Sequence, residues 1–169
     1  MPLISDGQAR EDSWRHLEDD EALPADGAAV TVSLARWERN ETELRDWNGR
    51  LGLRLAPGEL AEQVGEDAGR FDLICVAFPA FTDGRGFSTG RLLRSRYGFT
   101  GELRATGRVI RDQFFFLHRV GFDSLEVADP KLAEQWGEAL GEISVVYQPS
   151  HDRRVSIPQA RWQTRAAAE

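Results

Sequence analysis

Hydrophobic and polar positions in this chain switch between a period of two and a period of about 3.6, so short strands and amphipathic helices are predicted to alternate. Residues 30–34 read as a strand rich in β-branched side chains. Asn40 stands three residues before Glu43, the offset of a capping box, and Leu44, Trp47 and Leu51 follow at helical spacing. Leu53 and Leu55 predict a short strand, and Leu60, Val64 and Ala68 a helix starting near Pro57. Residues 71–78 are almost continuously apolar, the pattern of a central parallel strand covered by helices on both faces. Ser88 is placed to cap the next helix, which carries Leu92, Leu93 and Tyr97 and stops at Gly98. A strand over 102–106 follows, then a helix with Ile110, Phe114 and Leu117 on one face and Gly121 at its end, then a strand over 124–127. Asp129 and Pro130 open the clearest amphipathic helix, which carries Leu132, Trp136, Ala139, Leu140 and Ile143, and a strand over 144–148 closes the series.

Five helices alternating with six short strands predict an α/β fold, a single domain of repeated βα units with a mainly parallel sheet. A flavodoxin-like open sheet and a partial (βα) barrel both fit that pattern. The domain is predicted over 30–162. Residues 1–29 are acidic and carry an Asp6-Gly7 turn signal, which suits a hairpin and a strap or a loosely attached arm, and 163–169 suit a flexible tail.

Length and charge narrow the function classes. A chain of 169 residues, 41% hydrophobic and 29% charged, buries enough surface for one stable core. Its net charge of −7 argues against nucleic-acid binding, which rests on a basic surface that displaces counterions from phosphates. No apolar window approaches a membrane span and the N-terminus does not read as a secretory signal, so a cytoplasmic location is expected. The single cysteine, Cys75, lies in an apolar run and reads as a buried, inert thiol. His16, His118 and His151 are scattered, and no Cys/His cluster with ligand spacing occurs, so neither a metal nor a cofactor is assigned.

In parallel α/β folds ligands bind beyond the carboxyl ends of the strands, which directs attention to the βα loops. The richest is Phe81-Thr82-Asp83-Gly84-Arg85-Gly86-Phe87-Ser88. Gly84 and Gly86 would let backbone approach a ligand, Ser88 would mark a helix N-terminus open to an anion, and Arg85 with Arg108 or Arg111 would clamp an oxyanion. Asp112 opens a helix beside Arg111. Thr82, Asp83, Gly84, Arg85, Gly86, Ser88, Arg108, Arg111 and Asp112 are therefore the candidate anion- or partner-binding residues, and no catalytic residue is assigned. The same loop also suits a plain strand-to-helix turn, with Asp83 bonding nearby backbone and Phe81 and Phe87 packing. Phe114-Phe115-Phe116-Leu117 is too apolar all round for a solvated helix, so it is either buried or partly covered by a partner.

Residues 77–88, with Arg91-Leu92-Leu93-Arg94, Gly101-Glu102-Leu103-Arg104-Ala105, Arg111-Asp112-Gln113 and Gly121-Phe122-Asp123, resemble the hallmark segments of the DUF934 family. The likeness extends over roughly residues 12–148. Members are uncharacterised bacterial proteins commonly encoded beside a sulfite/nitrite reductase haemoprotein and adenylyl-sulfate reductases. The resemblance implies a role in assimilatory sulfate reduction, with either reductase as a possible partner, and supplies no catalytic residues. One cysteine cannot hold the iron–sulfur cluster of a sulfite reductase or form a redox pair, so an accessory protein without its own redox cofactor is expected, acting by partner or anion binding. The alternative is a small enzyme for an anionic substrate, using Arg85 and Arg111 for charge and Asp83 or Asp112 as acid or base. Asp83–Ser88 is also similar to a loop of EAL-type phosphodiesterase barrels, which implies a loop geometry and a barrel-like fold rather than their activity.

Overall fold

A computed structural model describes residues 3–5, 7–127, 129 and 131–166. In chain order the strands are β1 (Leu3–Ser5), β2 (Gln8–Arg10), β3 (Arg15–His16), β4 (Val30–Ser33), β5 (Leu51–Leu55), β6 (Leu73–Phe78), β7 (Glu102–Gly107) and β8 (Ser124–Glu126). The helices are α1 (Leu34–Arg39), α2 (Glu41–Arg45), α3 (Ala61–Val64), α4 (Arg85–Ser95), α5 (Phe114–Val120), α6 (Leu132–Glu142) and α7 (Ile157–Ala166). Short 3-10 turns follow α3 and precede α5.

One eight-stranded sheet runs in the order β2-β1-β8-β7-β6-β5-β4-β3. β3 through β8 are parallel and spatially sequential, while β1 lies antiparallel to both β8 and β2. When every right-handed crossover steps in the same direction, the helices all fall on one face and the sheet curls. The result is a half-barrel, and the sequential order differs from the doubly wound order of a flavodoxin-like sheet.

The convex face carries the main core. Val32, Leu53, Ile74, Val76, Phe78, Leu103, Ala105 and Leu125 pack there with Leu34, Trp37, Leu93, Phe114, Leu117 and Trp136 from the helices. The alternate positions of the same strands face the concave side. Helices therefore do not cover β6 on both faces. Leu73 and Cys75 instead meet Trp14, in a separate small cluster at the amino-terminal end of the concave face.

The N-terminal segment supplies both edges of the sheet. β1 and β2 form a hairpin on β8, with Gly7 in the left-handed region at φ 73°, while Asp6 lies outside the described residues. The chain then straps across the concave side, where Trp14 packs, to reach β3 beside β4.

Other boundaries differ from the predicted ones for identifiable reasons. Ser33 ends its strand by accepting a 3.0 Å hydrogen bond from the Arg36 N–H, so Leu34 opens a helix. Leu51 leaves the helical pattern to pair with Val30. Asn40 donates to Glu43 at 3.2 Å, but its side chain does not cap the helix. Residues 144–148 form only an isolated bridge, Val146 to Ser156, because β1 already occupies the edge of β8 they would have extended. The backbone N–H of Lys131 is held by Asp129 at 2.9 Å just before α6, while Pro130 lies outside the described residues. Gly121 ends α5 at φ 106°. Residues 163–166 continue α7, and 167–169 lie outside the described residues. No helix among the described residues is long and apolar enough to cross a membrane.

Candidate functional site

The concave face is largely polar because β4, β5, β7 and β8 contribute polar side chains at alternate positions, while β6 adds Leu73, Cys75 and Ala77. The ladder sets Ser33, Arg54, Cys75, Arg104 and Ser124 in one row across five strands. His16, Thr31, Gly52, Leu73 and Glu102 form the adjacent row.

Arg104 anchors this surface at 1% exposure. A cation desolvated to that degree requires partners, and it has two carboxylates. Its Nη1 donates to Asp12 of the strap at 2.8 Å, and its Nη2 and Nε donate to Glu102 at 3.0 and 3.1 Å. Glu102 also accepts from the Ser124 hydroxyl at 2.5 Å. Burial pushes the Asp12 carboxyl up, but the Trp14 N–H, Arg104 and His16 outweigh it and hold it below the ordinary carboxylate range. His16 lies between Asp12 at 3.1 Å and Thr31 at 2.7 Å.

Above this network, toward the carboxyl ends of the strands, is a cavity of about 310 Å³. Ser33, Arg54, Glu59, Ala77, Thr106 and Glu126 are among the residues around it, with Cys75 and Arg104 beneath. The place is the one where (βα) barrels carry their ligands, and the volume suits a small molecule. Cys75 borders the cavity at only 3% exposure, and burial pushes its thiol up to about 12, which makes it floor and not nucleophile.

Arg54 differs from Arg104 in one respect. Its Nη1 donates to the Thr31 hydroxyl at 3.3 Å and its Nη2 to the Leu17 carbonyl at 2.6 Å, both neutral oxygens. It makes no ion pair among the described residues. A half-buried guanidinium that faces a cavity and is bonded by no carboxylate is a charge that an anion can neutralise.

The residues singled out by sequence lie at the rim and beyond it. Asp83 and Arg85 form a fork, with Nη2 at 2.6 Å and Nε at 3.0 and 3.2 Å from the carboxylate oxygens. Asp83 also accepts from the Arg85 backbone N–H at 3.1 Å. The Arg85 side chain and then its backbone N–H hold the Asp83 carboxyl down at about 2. These bonds start α4 at Arg85, so Ser88 sits inside the helix and does not cap it. Gly86 serves packing: a Cβ there would lie 2.5 Å from Cζ of Phe78. Gly84 faces open space, Thr82 is exposed, and Phe81 is exposed where packing was predicted. Phe87 does pack, edge-on to Phe78 at 5.4 Å.

The arginines do not converge. Arg111 pairs with Glu142 and Glu138 on α6, and exposed Arg108 donates its backbone N–H to Phe78 at 2.8 Å. Asp112 lies at a second cleft with Gln113, Phe116, Phe87 and Arg91. The loop does reach the rim of the concave cavity, because Nη1 of Arg85 lies against Gly58, beside Glu59. Gln113 also donates to the Phe81 carbonyl at 3.0 Å, which joins two of the loops. Arg54, Glu126, Ser33 and Thr106 went unnoticed in the sequence. Their shared signal is a polar residue two positions from another inward-facing one in β4, β5, β7 and β8.

Several of the hallmark residues have structural work. Arg94 donates to the carbonyls of Phe99, Gly101 and Gly121 at 2.7, 2.9 and 3.0 Å and to Asp123 at 2.5 Å, which ties α4 to the ends of β7 and β8. The family model for the bacterial proteins of unknown function termed DUF934 matches residues 52–157. No curated protein matches the chain.

Proposed function

Because the chain belongs to the DUF934 family, whose function is unknown, we propose from its own site that it is a binding protein that holds a small anion in the carboxyl-end cavity of its half-barrel. Arg54 carries this reading, as a cation that lines the cavity and bonds only neutral oxygens. We read the protein further as an accessory of assimilatory sulfite reduction without a redox cofactor of its own, which is what the family resemblance implies. Arg85, which lies against Gly58 next to the cavity residue Glu59, gives a partner a charged edge near the bound anion.

The enzyme reading built on Arg85 and Arg111 finds less support, since each guanidinium is matched by carboxylates of its own. Titration calorimetry with sulfite, sulfate and phosphate tests the binding role. Binding that Arg54→Gln abolishes and Arg54→Lys partly keeps is the expected result, and no heat with any of the three ends the anion reading. Sulfite reduction that continues unchanged in a deletion strain would remove the pathway assignment.

A further inference from the structure

The cavity carries a second unmatched charge. Glu126, on β8, faces the same space as Arg54 on β5, and it makes neither a hydrogen bond nor an ion pair among the described residues. Of the other charged groups around the cavity, Arg104 is ion-paired with Asp12 and Glu102, whereas Glu59 has only a neutral backbone N–H, that of Ala56 at 2.7 Å, as its partner among the described residues. Between Arg54 and Glu126 the two intervening strands contribute Cys75 and Ala77 from β6 and Thr106 and the ion-paired Arg104 from β7. Partly desolvated charges of opposite sign, set apart across two strands, are complementary to a ligand with the reverse polarity.

We infer that the cavity takes a small zwitterion, its anionic group on Arg54 and an ammonium group on Glu126, with a short methylene chain between. This rests on the anion-binding reading above and extends it to the other end of the ligand. Three strand spacings of ~4.8 Å separate β5 from β8 along the sheet, and the inward reach of both side chains shortens the gap. Arg54 is drawn toward Leu17 and Thr31, away from β8, so the two charges stand further apart than those of an α-amino acid. An ω-amino acid or an aminoalkyl anion fits that separation.

Calorimetry on the intact protein tests this with matched probes: γ-aminobutyrate against butyrate, ε-aminocaproate against caproate, glycine as the short control and sulfite as the bare anion. At least one ω-amino acid should bind about tenfold tighter than its carboxylate, the ratio of one well-placed charge contact. Glu126→Gln should weaken the zwitterion and strengthen the bare anion, since it removes a negative charge from the cavity. Glu126→Asp, which keeps the charge, should retain the zwitterion preference and guards against a folding defect. If amino and non-amino partners bind alike and Glu126→Gln shifts both in the same direction, the zwitterion inference falls and the anion reading stands. If no anion of any kind binds the unaltered protein, both fall together.

Discussion

Asp12 and Arg104 are separated by 92 positions in the sequence and by 2.8 Å in the fold. Through that contact the N-terminal strap is fastened to the middle of the sheet, on the floor of the cavity. Asp12→Ala should leave Arg104 with Glu102 alone. The expected loss is about 2 kcal/mol, less than the ~3–5 kcal/mol of a fully orphaned buried charge. Urea denaturation measures it, and an Asp12→Ala/Arg104→Met double variant should recover part of the loss.

The same carboxylate sets an acid limit. Its folded pKa lies below the ordinary value, so its contribution is fully present above the unfolded carboxylate range and is lost as pH falls through the folded pKa. Below about pH 4 the strap should loosen ahead of the convex core. Hydrogen exchange followed down the pH scale should show protection lost first at the N–H groups of Arg15 and Leu17, which bond the carbonyls of Ala29 and Thr31. Simultaneous loss across β5 and β6 would contradict this.

Trp14 closes the amino-terminal end of the concave face against Leu73 and Cys75. Trp14→Ala should cost about 3 kcal/mol through the cavity it leaves. It should also expose Cys75. In the unaltered protein the thiol, raised to about 12, should resist a thiol-specific disulfide reagent near neutral pH, and the variant should react. The raised thiol has an alkaline consequence as well: stability associated with the neutral form is present below the unfolded thiol pKa and declines as pH rises toward 12.

Much of this architecture was legible in the chain. Alternating periods placed β5, β6, β7 and β8, and Gly121 marked the end of α5 where its positive φ demands a residue without a Cβ. The half-barrel itself was one of two readings, because strand order is a long-range property that local periodicity does not encode. The concave face with its cavity was hidden for the same reason. In Leu53-Arg54-Leu55 and Leu103-Arg104-Ala105 the polar residue looks solvent-facing, and only the curl and the strap turn it inward. Ser88 was passed over as a cap because Asp83, held close to the Arg85 N–H, starts the helix earlier. The apolar run at 114–117 divides by helical position: Phe114, Phe115 and Leu117 are buried while Phe116 is 52% exposed.

Gly86 and Gly90 lie one turn apart on the buried side of α4, each seated on an aromatic ring. A Cβ on Gly90 would meet Cε2 of Phe122 at 2.5 Å, and one on Gly86 would meet Phe78 just as closely. Alanine at either site should lower stability by about 1–3 kcal/mol through overpacking, even though it raises helix propensity. A rise in the thermal midpoint of either variant would show that α4 has room to move away from β6.

The pairing of Ile4 with Leu125 bears on how the protein is made. Synthesis delivers the β1–β2 hairpin before its partner strand, which emerges only after β3 through β7 and their crossovers have been translated. Until then the hairpin is an unclaimed edge, and the cavity has no complete wall. Nascent chains halted before Ser124 should therefore leave residues 3–10 open to protease while the β4–β6 region is already collapsing. Residues translated well ahead of the parallel sheet are thus among the last to be secured, so completion of the concave face reports that the whole sheet is in place.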